Sequence, residues 1–293
     1  MRFDIEEVKM RSLLFVPADD PTKIDAALTC GADAVILDLE DSVAYENKAK
    51  ARENVKAVIR EHRQAGKEMP ELIVRINALD EAEFNADMVA LLDNPPEAFM
   101  LPKAEGPGCL DRMARHAGPI PVIAIAAETP RGVLTLPAFA EKVPANLLAL
   151  TWGAEDLSAR LGAATNRDEY GHLTDPYRLA RSLCLFTARA ANVDPIDTVF
   201  VRYTDTEALA QECAAAFRDG FTGKLAIHPD QVPIINQAFT PTSEQIERAR
   251  AIIEAFESKP GAGMVSVDGR IYDRPHLLRS QRLLRKAKRY GLI

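Results

Sequence analysis

Ala124-Ile125-Ala126-Ala127-Glu128-Thr129-Pro130-Arg131-Gly132 sets the reading of the chain. An apolar run, Val122 to Ala127, arrives at a carboxylate and then breaks at Thr-Pro. The run is short and lacks helical periodicity, the pattern of a strand buried on both faces. Pro130 suits the first turn of a following helix, where its missing N–H costs nothing. Glu128 is therefore expected at the carboxyl end of a buried parallel strand, where α/β proteins place their chemistry.

The arrangement recurs on both sides of this stretch. Leu147 to Thr151 is a second such run, followed by Trp152-Gly153-Ala154-Glu155-Asp156-Leu157. Leu72 to Asn77 carries Arg75, and Ala34 to Asp41 closes on Asp38, Glu40 and Asp41. Arg11–Pro17 reads as the first strand, with a helix over Pro21–Cys30 stopped by Gly31. Further helices are expected over about Val43–Gln64 (stopped by Gly66), Glu81–Leu92, Cys109–His116 and Gly132–Glu141. Ala98–Leu101 is a strand ending in Pro102-Lys103. The long connection from Gly153 to Asp197 reads as a polar loop, Gly162–Thr174, and an amphipathic helix, Pro176–Asn192. Thr198–Val201 is the expected seventh strand, followed by a helix over Asp205–Arg218, and Gly223–Ile227 is the eighth, before His228-Pro229.

Eight alternating strand–helix units predict an α/β fold, a (β/α)8 TIM barrel over residues 1–240. No Gly-x-Gly-x-x-Gly follows the first strand, which argues against a dinucleotide-binding sheet. Residues 241–293 exceed what the barrel needs. They read as a helix over Ser243–Ser258, a turn at Pro260–Gly263, a short run Met264–Asp273 and a final helix over Arg274–Tyr290 rich in Lys and Arg, with no acid. This C-terminal helical extension must pack somewhere, and the mouth of its own or a neighbouring barrel is one place.

The 47% hydrophobic and 27% charged content of the 293 residues is that of a soluble globular protein. A net charge of -7 argues against nucleic acid as the main partner. No apolar run is long enough to span a bilayer, and the acidic start, Met1 to Glu7, is no secretory signal. Cys30, Cys109, Cys184 and Cys213 are far apart and form no paired spacing, which points to a reducing cytoplasm rather than a disulfide or zinc framework.

In a barrel, Arg75, Lys103, Glu128, Asp156 and His228 would converge on one face. Two separated carboxylates with few other ligands suit Mg²⁺, which keeps waters and takes further ligands from substrate. A 2-keto acid could fill two such positions, and Arg75 offers a planar fork for its carboxylate. Metal and arginine together would stabilise an enolate. Taken singly, Glu128 and Asp156 read first as helix N-terminal acids, while Arg75 and Lys103 read also as ion-pair members and His228 as a turn residue. The functional reading rests on their sharing one rim.

Arg11–Pro17 with Lys23, Ala34–Val43, Val74–Asn77, Leu101-Pro102-Lys103, Glu128-Thr129-Pro130, Gly153–Leu157, Lys224–Pro229 and Ile271–Pro275 resemble, in order, the citrate lyase beta-subunit-like family, relatives of malyl-CoA and citramalyl-CoA lyases. The resemblance implies a Mg²⁺-dependent barrel that cleaves or forms a 3-hydroxyacyl-CoA thioester such as malyl-, citramalyl- or citryl-CoA. It gives Arg75 the keto-acid carboxylate, Glu128 and Asp156 the metal, and Asp273 an acid/base role in a neighbouring subunit's site. It thereby implies a homo-oligomer, with a trimer favoured. Lys23 and the basic last helix are matched to CoA phosphates. The family's Met-Ile-Asp is Ile271-Tyr272-Asp273 here, which bears on lid packing and substrate. Alternatives are an aldolase acting on a free hydroxy-keto acid, an acyl-CoA thioester hydrolase, and a subunit of a larger citrate lyase assembly.

Overall fold

The computed structural model describes residues 8–65 and 69–293. In chain order its elements are β1 Ser12–Pro17, α1 Pro21–Thr29, β2 Ala34–Asp38, α2 Lys48–Ala65, β3 Glu71–Arg75, α3 Glu83–Leu91, β4 Ala98–Leu101 and α4 Pro107–Ala117. Then come β5 Val122–Ala127, α5 Pro130–Thr135, α6 Ala138–Glu141, β6 Leu147–Trp152, α7 Ala154–Leu161, α8 Asp175–Ala190, β7 Asp194–Asp197, α9 Thr206–Asp219, β8 Gly223–Ala226 and α10 Gln231–Phe239. Beyond these lie α11 Ser243–Glu257, β9 Met264–Val267, β10 Arg270–Asp273 and α12 Arg274–Arg289. Strands β1 to β8 are all parallel and close, β1 pairing with β8, into the expected barrel.

Period-two alternation divides the core into two layers. Leu13, Ile36, Ile73, Met100, Ile123, Leu148, Ile196 and Leu225 fill the barrel interior. Their neighbours Leu14, Val35, Val74, Phe99 and Leu150 face outward, against the helices. Apolar residues at nearly every strand position follow from burial on both faces.

Local details depart from the pattern reading. β7 is Asp194–Asp197, four residues before the expected Thr198–Val201. Asp194-Pro195-Ile196-Asp197 looks like a turn, but its ladder partners are Ala149 and Leu150 on one side and Gly223 and Lys224 on the other. Its acids are tolerated because each has a partner: Asp194 meets Arg289 at 3.0 Å, and Asp197 accepts from Trp152 Nε1 at 2.8 Å. The single helix expected over Gly132–Glu141 is two, separated at Leu136-Pro137, where proline supplies no N–H. α7 precedes the expected loop, in a part of the connection for which no element was expected. A single 3-10 turn, Tyr45–Asn47, precedes α2, and the expected stop at Gly66 lies outside the described residues.

In the extension, β9 and β10 form an antiparallel hairpin. Its turn, Asp268-Gly269, has positive φ at both positions (49° and 73°), the geometry that matches strand twist in a tight hairpin. α12 then runs back to the N-terminal end of the barrel. There Arg289 pairs with Asp194 at the start of β7, the Arg11 guanidinium lies 4.8 Å from the Tyr290 ring, and the Lys286 ammonium lies 4.9 Å from the Phe217 ring. All four cysteines are free thiols. Among the described residues no helix is long and apolar enough to cross a membrane.

Candidate active site

A cleft of about 360 Å³ opens among the strand C-termini. Arg75, Glu128, Gly153 and Asp156 line it, with Phe15, Trp152, Thr198, Val199 and Leu225. Alternation along β2 and β3 turns Asp38 and Arg75 inward with Ile36 and Ile73, and the two are register partners. Arg75 Nε and Nη2 donate to Asp38 Oδ1 and Oδ2 at 2.7 and 2.6 Å. Its Nη1 lies 2.9 Å from Glu40 Oε2, and its guanidinium stands 4.7 Å over the Phe15 ring.

The same alternation, continued from Ile123 and Ile125, would send Glu128 outward. A register irregularity between Ile125 and Ala127 changes the phase. Ala126 and Ala127 both pack in the outer layer, and Glu128 turns into the cleft. Bulges re-aim side chains in this way. Two backbone features then fix the carboxylate. Lys103, in the left-handed region at φ 52°, donates its main-chain N–H to Glu128 Oε2 at 2.7 Å. Gly153 passes so close that a Cβ there would lie 2.7 Å from Glu128 Cγ and 2.8 Å from Oε1, so only glycine fits. Gly153 also caps α7, whose first turn carries Asp156, an acid favoured by the helix dipole.

The charges form one connected set. Lys103 Nζ contacts Glu40 Oε1 closely, Asp41 Oδ2 at 3.2 Å and Asp156 Oδ1 at 3.8 Å. Glu128 is only 3% exposed. Burial, then the carboxylates of Asp156 and Glu40, push its pKa up to about 8, with Arg75 opposing. Burial likewise takes Glu40 to about 7 against the pull of Arg75 and Lys103. Asp38 goes the other way: burial would raise it, but the Arg75 fork outweighs burial and lowers it. Burial disfavours the Lys103 ammonium, yet its carboxylates hold its pKa above the usual value.

A carboxyl whose pKa is raised by burial and then by neighbouring carboxylates is a site short of positive charge. Glu128 and Asp156 thus have the donor chemistry for a hard divalent cation, and Glu128 Oε1 accepts no hydrogen bond among the described residues. No group of three or more His, Cys, Asp or Glu side chains there is arranged as a metal cage. The pair alone therefore leaves coordination positions for water and substrate, as suits Mg²⁺.

Other residues singled out in the sequence lie elsewhere. Lys23, 64% exposed, sits in α1 on the same barrel end, beside Asp20 at 3.3 Å and outside the cleft lining. The His228 ring stacks on Tyr203 with centroids 4.5 Å apart, also outside the lining. Asp273 ends the β9–β10 hairpin, 49% exposed, with its carboxylate against His276 Nδ1. That contact lowers its pKa. No residue of the extension lines the cleft of its own barrel. Gly153 and the bulge before Glu128 were missed by pattern reading. A glycine directly after a buried strand was the available signal for Gly153.

Comparison with known proteins gives a consistent result. The family model described as HpcH/HpaI aldolase/citrate lyase matches residues 11–229. The chain is 35% identical over 274 residues to a citrate lyase subunit beta-like protein of Mycobacterium tuberculosis, covering 94% of each chain. It is 32% identical over 282 residues to a (3S)-malyl-CoA thioesterase of Cereibacter sphaeroides, covering 95% of this chain and 94% of that one. Among solved structures, CitE from Mycobacterium tuberculosis in complex with magnesium, acetoacetate and coenzyme A superposes with a TM-score of 0.80 at 32% identity, covering 97% of this chain and 99% of that one. The chain belongs to the HpcH/HpaI aldolase/citrate lyase family and is an enzyme of the lyase class.

Proposed function

We propose that the protein is a Mg²⁺-dependent carbon–carbon lyase acting on a 3-hydroxyacyl-CoA thioester of the malyl-, citramalyl- or citryl-CoA type, releasing an acyl-CoA and a 2-keto acid. The observation that carries this reading is the Glu128–Asp156 pair, short of positive charge, in one cleft with Arg75. The CitE structure bound to magnesium, acetoacetate and coenzyme A supports it by analogy.

Glu128 and Asp156 hold the cation, whose Lewis acidity stabilises negative charge on the oxygens of the reacting keto acid and enolate. Arg75 is locked to Asp38 on one edge of its fork, which fixes the guanidinium plane. Its other edge, Nη1, paired with Glu40 Oε2 at 2.9 Å, is the part of the fork left to receive the keto-acid carboxylate. Trp152, Val199 and Leu225 supply apolar walls that exclude water from the reacting carbons. Asp273, which does not line its own cleft, serves a neighbouring copy in a homo-oligomer. There it takes a proton from the thioester α-carbon in synthesis, the alkoxide formed from the keto carbonyl being protonated from solvent. In cleavage it returns a proton to that carbon as the hydroxyl gives its own up to solvent. Lys23 lies on the same barrel end, suited to an exposed phosphate of CoA.

The test is keto-acid release from malyl-, citramalyl- and citryl-CoA with Mg²⁺, with EDTA as control. Glu128→Gln and Asp156→Asn should each lower turnover by about 10³-fold or more while the far-UV circular dichroism stays unchanged. Full activity in both variants would refute the metal assignment. A second reading, thioester hydrolysis, is favoured by the malyl-CoA thioesterase relative. Its signature in the same assay is free CoA in place of acyl-CoA.

A further inference from the structure

Lys103 is not among the residues that line the cleft, yet it touches four carboxylates at or beside it. Its main chain holds Glu128 Oε2. Its ammonium sits among Glu40, Asp41 and Asp156. Glu40 and Asp41 are oxygen donors of the type a hard cation prefers, and they approach Asp156 through this one ammonium. Glu40 Oε2 is fully buried and accepts no hydrogen bond, although Arg75 Nη1 is 2.9 Å away. Glu40 thus faces a cation on each oxygen, Lys103 at Oε1 and Arg75 at Oε2.

We infer that Lys103 is a positioning residue that keeps the divalent-cation site to two carboxylates. By occupying Glu40 and Asp41 it denies them to the metal. Coordination positions then stay open for the substrate's carboxylate and carbonyl oxygens. Without the ammonium, Glu40 and Asp41 would stand beside Asp156 without that partner, as further oxygen donors for a cation held there. Metal affinity rises with the number of charged oxygen ligands, and each added ligand removes a position that substrate needs. The inference rests on the metal assignment proposed above.

Lys103→Met removes the ammonium but keeps an unbranched side chain one atom shorter, and the bond to Glu128 comes from the main chain, so the N–H to Glu128 is retained. Mg²⁺ and pyruvate serve as probes in titration calorimetry on the full-length protein. The expected result is a change in opposite directions: Mg²⁺ binds at least about threefold tighter, and pyruvate binds the Mg²⁺-loaded protein at least about tenfold more weakly. Lys103→Arg should restore both values, and Glu40→Gln in the Lys103→Met background should return Mg²⁺ affinity toward that of the parent. Mg²⁺ affinity that is unchanged or weaker in Lys103→Met overturns the inference, as does unchanged pyruvate affinity. A merely structural role would weaken both ligands together. Failure of the underlying metal site reads differently: Glu128→Gln in the otherwise unaltered chain would then leave Mg²⁺ binding untouched.

Discussion

Glu128 owes its place to three small facts about its neighbours. A one-residue change of phase in β5 turns it inward, the Lys103 N–H takes one oxygen, and the missing side chain of Gly153 leaves room for the other. Gly153→Ala places a carbon within 2.8 Å of both Glu128 Cγ and Oε1, so the glutamate must leave its rotamer. We expect Mg²⁺ affinity to fall about tenfold or more by calorimetry, with the barrel still folded. The raised pKa of Glu128 gives a second expectation. Below about 8 the metal must displace a proton, so apparent Mg²⁺ affinity should rise up to about tenfold per pH unit toward pH 8 and then level off. The folded, metal-free protein also keeps a proton that an ordinary glutamate in the unfolded chain has lost. This contribution to stability is full below about pH 4.5 and fades as pH rises through about 8. Urea denaturation with EDTA, scanned across that range, checks the sign.

At the scale of elements, the strands that were legible were those whose burial is written in apolar side chains. β4 and β5 coincide with their apolar runs at both ends. β7 was not legible, because its acids are neutralised by Arg289 from the far end of the chain and by Trp152 and Arg181, all distant in sequence. The bulge was invisible for a related reason, since register is a property of two strands and not of one. Charges at strand ends were visible, and so were Arg75, Glu128 and Asp156 as a set, but which edge of Arg75 the fork to Asp38 occupies depends on the register across the ladder. α12 carries its own prediction. Burial among Phe217, Phe239 and Tyr290 lowers the Lys286 pKa to about 7, with Arg189, Arg289 and Arg11 adding to the shift and Asp194 opposing it. Between about 7 and the ordinary lysine range the unfolded chain binds a proton that the folded chain does not. Docking of α12 should therefore strengthen as pH rises through that window and weaken as pH falls toward 7. Lys286→Met should remove the dependence and add on the order of 1 kcal/mol at pH 7, read by chemical denaturation.

For the molecule as a whole, eight alternating units were enough to specify the barrel, because a right-handed crossover between parallel strands leaves few other ways to close. The course of the extension was not legible: its anchors at Arg11, Asp194 and Phe217 lie on the barrel end opposite the cleft. Asp273 is not among the residues lining its own cleft, and the proposed division of labour between copies has a direct check. Glu128→Gln and Asp273→Ala chains, each inactive alone, should regain part of the activity when refolded together, since some mixed assemblies then carry one intact composite site. No recovery would leave Asp273 without a role in a neighbouring site.

The cleft also contains the only tryptophan of the chain. Trp152 is fully buried, its indole N–H is held by Asp197 at 2.8 Å, and the next residue is the glycine that packs against Glu128. The protein therefore has a native optical probe at its reacting centre. Its emission comes from one environment, and placing or removing charge at Glu128 acts on that environment directly. Occupancy of the cleft can be followed by fluorescence in the unlabelled protein, in stopped flow as readily as at equilibrium.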